Sequence, residues 1–160
     1  MSNQAFFSPG MDCLQAIQEG IENAKEEILV CVFTISDDRI LQTLLDSHRK
    51  GMKIRILTDN EKVHDKGSDI RALVRAGLDV KVDDSQHHMH HKFMIVDGVY
   101  TYTGSYNWTR SAERFNAENL VIIEDPELAS SFIHQFETLW ESSVRLYSVG
   151  WRQHHQNRNS

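Results

Sequence analysis

At 160 residues and a net charge of −6, the chain is long enough for one domain with a sizeable core. Apolar residues make up 40% and charged residues 25%, an ordinary globular balance, and no apolar run approaches the roughly 20 residues of a membrane-spanning helix. The negative charge argues against a broad polyanion-binding surface, so contacts to an anionic substrate have to be concentrated in a small pocket.

The opening residues, MSNQAFFSPG, lack the basic end and apolar stretch of a secretory signal; the expectation is a soluble, cytoplasmic protein without integral membrane association. Leu14, Ile17, Ile21 and Ala24 then recur at helical spacing, with Asp12 as the expected N-cap. Ile28 to Ile35 reads as a buried strand closed by Ser36-Asp37-Asp38. Ile40, Leu41, Leu44 and Leu45 mark a second helix that Gly51 stops, and Lys53 to Thr58 a second strand. The polar stretch from Asp59 to Gly67 is a predicted loop. Ser68 caps a short helix carrying Ile70, Leu73 and Val74, Gly77 ends it, and Leu78 to Val82 is another strand. After a hairpin, Asn119 to Glu124 supplies the last strand. Asp125-Pro126 opens the final helix as N-cap and first-turn proline, with Leu128, Phe132, Phe136, Leu139 and Trp140 as its buried stripe.

The β-α-β-α-β order predicts an α/β fold, a mixed and mostly parallel sheet flanked by helices on both faces. A single domain is expected over residues 1–151, with a polar, frayed tail at 152–160 in which His154-His155 is tail composition rather than a metal site. Cys13 and Cys31 fit no metal-ligand spacing and are expected as interior thiols.

The chemistry concentrates in HHMHHKFMIVDGVYTYTGSYNWT, residues 87–109. Asp97-Gly98 between two strand-like runs signals a two-residue hairpin turn. Counting back from that turn, Val96 pairs with Val99, Lys92 falls opposite Thr103, His90 opposite Ser105 and His88 opposite Asn107. Alternation then gathers His90, Lys92, Ser105 and Asn107 on one face of the hairpin at residues 90–105. Phe93, Ile95, Tyr100 and Tyr102 fall on the other. The polar face suits a tetrahedral phosphate: cation and amide hold the oxygens while imidazole does the chemistry. On this geometry Asp97 supports the hairpin or orients a neighbour rather than meeting the phosphate.

The histidine run also invites a metal. Alternation sends His88 and His90 one way and His87 and His91 the other, so four ligands do not converge, and neither metal nor other cofactor is expected. His91 is expected buried or bridging on the far face. Tyr106 and Trp108 are expected in the core rather than stacked on bases.

His90-His91-Lys92, four residues, Asp97, six residues, then Gly104-Ser105-Tyr106-Asn107 resembles the His-x-Lys-x4-Asp signature of the phospholipase D superfamily. Together with "TDN", "GSDI", "NAENLVIIEDPE" and "FETLW", the likeness covers most of residues 12–142. It points to the small single-motif branch that includes bacterial periplasmic endonucleases and Zucchini-type mitochondrial proteins. The chain departs from that branch in showing no anchor, no secretory signal and no cysteine-histidine zinc insertion. The resemblance implies a phospholipase D-like fold and a catalytic set of His90, Lys92, Asp97, Ser105, Asn107 and Glu118. It makes His90 the nucleophile, Lys92 and Asn107 the phosphate-holding pair with Ser105 beside them, and Glu118 the carboxylate that orients a histidine.

In-line displacement puts attacking and leaving groups on opposite sides of phosphorus, so an attacking His90 cannot also protonate the leaving oxygen. With one motif per chain, the expectation is a two-fold homodimer in which the partner subunit's His90 is the acid, and a phosphohistidine intermediate formed without metal. Within one chain, His88 or His64 is the alternative acid. The first functional expectation is an endonuclease on single-stranded nucleic acid, with Arg110, Arg114, Lys62 and Lys66 guiding the backbone. The alternative is a phospholipase D or cardiolipin-type hydrolase, and a non-catalytic scaffold ranks last.

Overall fold

The computed structural model describes residues 2–59 and 70–146. The expected Asp59–Gly67 loop beyond its first residue, the Ser68 cap, Lys62, His64, Lys66, the tail at 152–160 and His154-His155 lie outside the described residues.

In chain order the elements are β1 (Asn3–Ser8), α1 (Asp12–Asn23), β2 (Glu27–Val32), α2 (Asp38–Arg49), β3 (Lys53–Asp59), α3 (Ile70–Arg75) and β4 (Asp79–Asp83). There follow β5 (Lys92–Val96), β6 (Tyr100–Gly104), α4 (Arg110–Arg114), β7 (Glu118–Glu124), α5 (Pro126–Ser142) and β8 (Val144–Arg145). Among the described residues the strands form one sheet in the order β1-β7-β6-β5-β2-β3-β4-β8.

The α/β class holds, but the balance of pairings differs from the expectation of a mostly parallel sheet. Only β2–β3 and β3–β4 are parallel; β1–β7, β2–β5, β4–β8, β5–β6 and β6–β7 are antiparallel. The crossovers through α2 and α3 make the parallel part. The tight β5–β6 connection can join only antiparallel neighbours, and that hairpin inserts β5 directly beside β2.

Both faces of the sheet are covered. Val30, Val32, Ile54, Ile56, Val80, Met94, Val96 and Tyr102 share one core with Leu14, Ile17 and Ile21 of α1 and Ile40 and Leu44 of α2. Leu29, Cys31, Leu57, Phe93 and Ile95 share the other with Ala129, Phe136 and Trp140 of α5. Within the expected α5 stripe, Phe136 and Trp140 are buried and Phe132 and Leu139 are half-buried against them. Asp125 caps this helix through the Glu127 and Leu128 amides, with Pro126 behind it as expected. Truncating Phe136 to alanine would cost about 3–5 kcal/mol. Cys13 and Cys31 are free, buried thiols, as expected.

Three elements were not legible as such: β1, α4 and β8. β1 lies on an edge and carries one fully buried residue, Ser8, so NQAFFS shows no alternation to read. The N-cap of α1 is Met11, without a side-chain hydrogen bond; Asp12 is the first helical residue, where its charge still meets the positive end of the helix. β2 ends at Val32, three residues short of the expected Ile35, and that early ending matters for the site.

Candidate active site

Asp97 and Gly98 both adopt positive φ, 56° and 65°, and Val99 donates to the Val96 carbonyl at 3.1 Å. Positive φ at both central residues is what a type I′ turn requires, and glycine takes the second at no steric cost. The turn was read correctly and the residue count was not. Pairing resumes at Val96↔Tyr100, so Val99 is an extra residue whose carbonyl accepts the Asp125 amide. Phe93 therefore faces Thr103 and Met94 faces Tyr102, a register one residue away from the expected Lys92–Thr103 pairing. Tyr102 shares the core of Met94 and Val96, not that of Phe93 and Ile95. The hydrophobic pattern had no power to choose, because both faces of β5 are buried: Phe93, Met94, Ile95 and Val96 are each at most 4% exposed.

With the ladder no longer pairing His90 with Ser105, another element assembles the site. That element is the end of β2. Val32 pairs with Lys92, and the next amide, Phe33 N–H, donates to the His91 carbonyl at 2.8 Å. Thr34 N–H donates to Asn107 Oδ1 at 3.2 Å, and Trp108 N–H returns a bond to the Thr34 carbonyl at 3.1 Å. Ser36 and Asp37 amides both donate to the Trp108 carbonyl, and Ile35 bridges Trp108 in parallel. The His90–Lys92 segment hangs from one side of this strand end and Asn107 from the other. Engaging its carbonyl oxygen with Thr34 leaves the Asn107 NH2 as its donating end.

Lys92 Nζ lies 2.9 Å from His90 Nδ1 and also donates to the His90 carbonyl at 2.9 Å. The Phe33 ring stands 4.5 Å from the His90 ring, and the Lys92 ammonium lies 5.6 Å from its centroid. Burial lowers the Lys92 pKa, and the negative charge of Glu118 works against that shift. Glu118 is half-buried at the start of β7, where its own amide donates to Ser8 Oγ. Its field also helps burial raise the Cys13 thiol to about 11, behind the contribution of Asp12. Glu118 thus acts on the α1 side of the sheet, the side of Lys92.

The neighbouring histidines diverge. His88 Nδ1 lies 3.7 Å from the buried carboxylate of Asp59, which accepts the Met89 amide at 2.9 Å. His91 is exposed, not buried, but it does bridge: its Nε2 lies 3.2 Å from Gln135 Nε2 on α5. Partial loss of solvent around the ring first, then the charge of Lys92, lowers the His91 pKa. No cluster of three or more potential metal ligands forms among the described residues. Tyr106 and Trp108 are 1% and 2% exposed and belong to the core, as expected.

Four expected site residues are engaged elsewhere. Asp97 lies at the far end of β5, roughly 20 Å from His90 by strand rise. Its carboxylate accepts the amides of Lys25, Glu26 and Glu27, the closest at 2.7 Å. Burial works to raise its pKa; the three amide bonds and the Lys25 charge outweigh it and hold the group below the usual carboxylate range. Asp97 is a brace for the α1–β2 turn, as its place in the hairpin implied and its place in the signature did not. Ser105 Oγ accepts the Asn119 amide at 3.0 Å and clamps β6 to β7. Gly104 permits that clamp, since a Cβ there would collide with the Asn119 backbone oxygen. Arg110 is paired with Asp38 at the start of α2, and Arg114 with Glu113.

The chain matches the family model described as "Cardiolipin synthase, PLD-like domain" over residues 17–140. It belongs to the phospholipase D-like family. A protein named mitochondrial cardiolipin hydrolase from Chlamydomonas reinhardtii is 44% identical over 119 residues, 74% of this chain and 53% of the relative. A protein named phospholipase D from Rickettsia conorii is 37% identical over 130 residues, 81% of this chain and 65% of the relative. The chain spans about half the length of the cardiolipin hydrolases it matches. Among solved structures, Nuc from Salmonella typhimurium, described as a phospholipase D family member, superposes with a TM-score of 0.86. It shares 29% identity, with 92% of this chain and 99% of that chain covered.

The matched region contains His90, Lys92, Asn107 and Glu118 and also the residues that the motif does not mention: Phe33, Thr34 and Asp59. Phe33 and Thr34 were missed because they follow a strand remote in sequence from the histidines, and "FT" after an apolar run is too common to signal a site. Asp59 lies in the "TDN" of the resemblance, which gave it no role.

Proposed function

We propose that this chain is a metal-independent phosphodiesterase that works through a phosphohistidine at His90, completed by a second copy of itself. The observation that carries the reading is the convergence of the His90–Lys92 pair and Asn107 on the end of β2. As the residues stand, the Lys92 ammonium donates to Nδ1, and a neutral His90 then carries its proton on Nε2. Phosphate oxygens compete for that ammonium. Once it turns to them, Nδ1 is released to hold the proton, facing the Glu118 side, and the Nε2 lone pair is available to phosphorus. The N–P bond forms as the P–O bond to the leaving alcohol breaks, and the partner subunit's His90, protonated, gives that alcohol its proton. The same imidazole then takes a proton from water, whose oxygen displaces His90 from phosphorus. Lysine and asparagine stabilise the charge that develops on the non-bridging oxygens.

The first substrate class is single-stranded nucleic acid, whose backbone reaches a site where His88, His90 and His91 all meet solvent. Phospholipid is the second, supported by the names of the relatives and by Phe7, 65% exposed on the edge strand β1. The test is an assay panel of single-stranded DNA, RNA, duplex DNA and vesicles of phosphatidylcholine or cardiolipin, run with chelator present. Wild-type protein is expected to hydrolyse at least one, and His90→Ala to lose at least about 10³-fold. Mixing excess His90→Ala into wild-type protein is expected to suppress activity through mixed dimers. Activity proportional to the wild-type chains alone would place the acid within one chain, with His88 the first candidate.

A further inference from the structure

Phe33 belongs to neither the signature nor the mechanism above, yet three groups of the site meet its ring. His90 is tilted over it at 4.5 Å, His88 stands edge-on at 5.4 Å, and the Lys92 ammonium lies 5.6 Å from its centroid. The ring is fixed from behind. The Phe33 amide donates to the His91 carbonyl, its own carbonyl accepts Thr58 Oγ1 at 3.1 Å, and the residue is 9% exposed. His90, by contrast, is exposed and precedes β5.

We propose that Phe33 is a positioning residue, an aromatic platform that holds the His90 imidazole and the Lys92 ammonium in their reacting orientation. The proposal rests on His90 being the nucleophile. An imidazole free to rotate spends little time aligned with phosphorus, and small misalignments of a reacting group cost large factors in rate. A phenyl face narrows that freedom by stacking, and it attracts the ammonium through its quadrupole. Among the described residues, the charged and titratable groups around the pair are Lys92 itself, His88 with Asp59, His91, and Glu118, whose charge acts on Lys92. Leucine would fill the same apolar volume without offering the face.

The test compares Phe33→Leu and Phe33→Tyr in the full chain, with bis(p-nitrophenyl) phosphate as a probe indifferent to the natural substrate. Phe33→Leu is expected to lower kcat about tenfold with KM within about twofold. Its melting temperature is expected to stay close to that of the wild type, and Phe33→Tyr to recover most of the rate. Independently of turnover, the His90 ring-proton resonances, assigned by their loss in His90→Ala, are expected to move downfield in Phe33→Leu as the ring current disappears. Unmoved resonances overturn the platform. So does a loss of rate in both variants that tracks a falling melting temperature, which would make Phe33 a core residue only. An inactive His90→Ala beside a fully active Phe33→Leu overturns the platform and leaves the nucleophile standing. A fully active His90→Ala brings down both.

Discussion

The two ends of β5 contain the two halves of one sequence signature, and they do opposite work. At the first end, Lys92 and His90 touch each other and face solvent, with Glu118 across the sheet edge and Asn107 held alongside by Thr34. At the other, Asp97 accepts three backbone amides while its neighbour Gly98 takes the second positive φ of the turn. One end presents an imidazole and an ammonium; the other uses its carboxylate to join a hairpin to the α1–β2 connection. A linear motif thus bundles a solvent-facing pair with a structural brace, and only the partners of each side chain tell them apart.

The comparison breaks most visibly at Lys92. Lys92→Met keeps the stem and removes the charge, and kcat/KM is expected to fall about 10²-fold with the melting temperature unchanged. Steady-state kinetics and thermal melts on the same preparations decide this, and a variant with wild-type kcat/KM would take the ammonium away from the phosphate.

The opposite pattern is expected at Asp97. Asp97→Asn should lower stability by about 2 kcal/mol while kcat per folded molecule stays within about twofold. Because the folded pKa is depressed, this stabilisation is fully present above the unfolded carboxylate value of about 4 and is lost as pH falls through the folded one. Denaturant titrations should show the gap between wild type and variant closing as the medium is acidified through that window. A gap independent of pH, or a kcat that collapses at unchanged stability, would return Asp97 to the catalytic set.

The smallest effect is expected at Arg110. Its exposed pair with Asp38, which holds that carboxyl below its usual range, is worth no more than about 0.5 kcal/mol. Arg110→Ala should leave KM within about twofold. A clear rise in KM at constant kcat would instead mark Arg110 as a residue that leaves Asp38 for the substrate.

Much of the fold was legible because its helices are amphipathic and capped. Leu14, Ile17 and Ile21, the Ile40–Leu44 face and the Asp125-Pro126 start all lie where periodicity put them. β1 and β8 were not, since a six-residue edge strand and a two-residue strand carry too few buried side chains to make a pattern. The candidate site was legible as a motif and misread in its geometry. Lys92 and Asn107 both attach to the end of β2, but a single extra residue, Val99, undid the pairing that was meant to bring them together.

By itself the sequence determined that His90, Lys92 and Asn107 lie in one short motif and that Asp97-Gly98 would turn the chain between them, since a motif and a turn are local properties. The tertiary structure alone decided the register, the partners of Asp97 and the presence of Phe33 and Asp59 beside the histidines and of Thr34 beside Asn107. The reason is that a strand buried on both faces carries no parity in its pattern. The residues at the ends of β2 and β3 reach the site only through the folding of the sheet, Phe33 by its ring, Thr34 by its amide and Asp59 by its carboxylate.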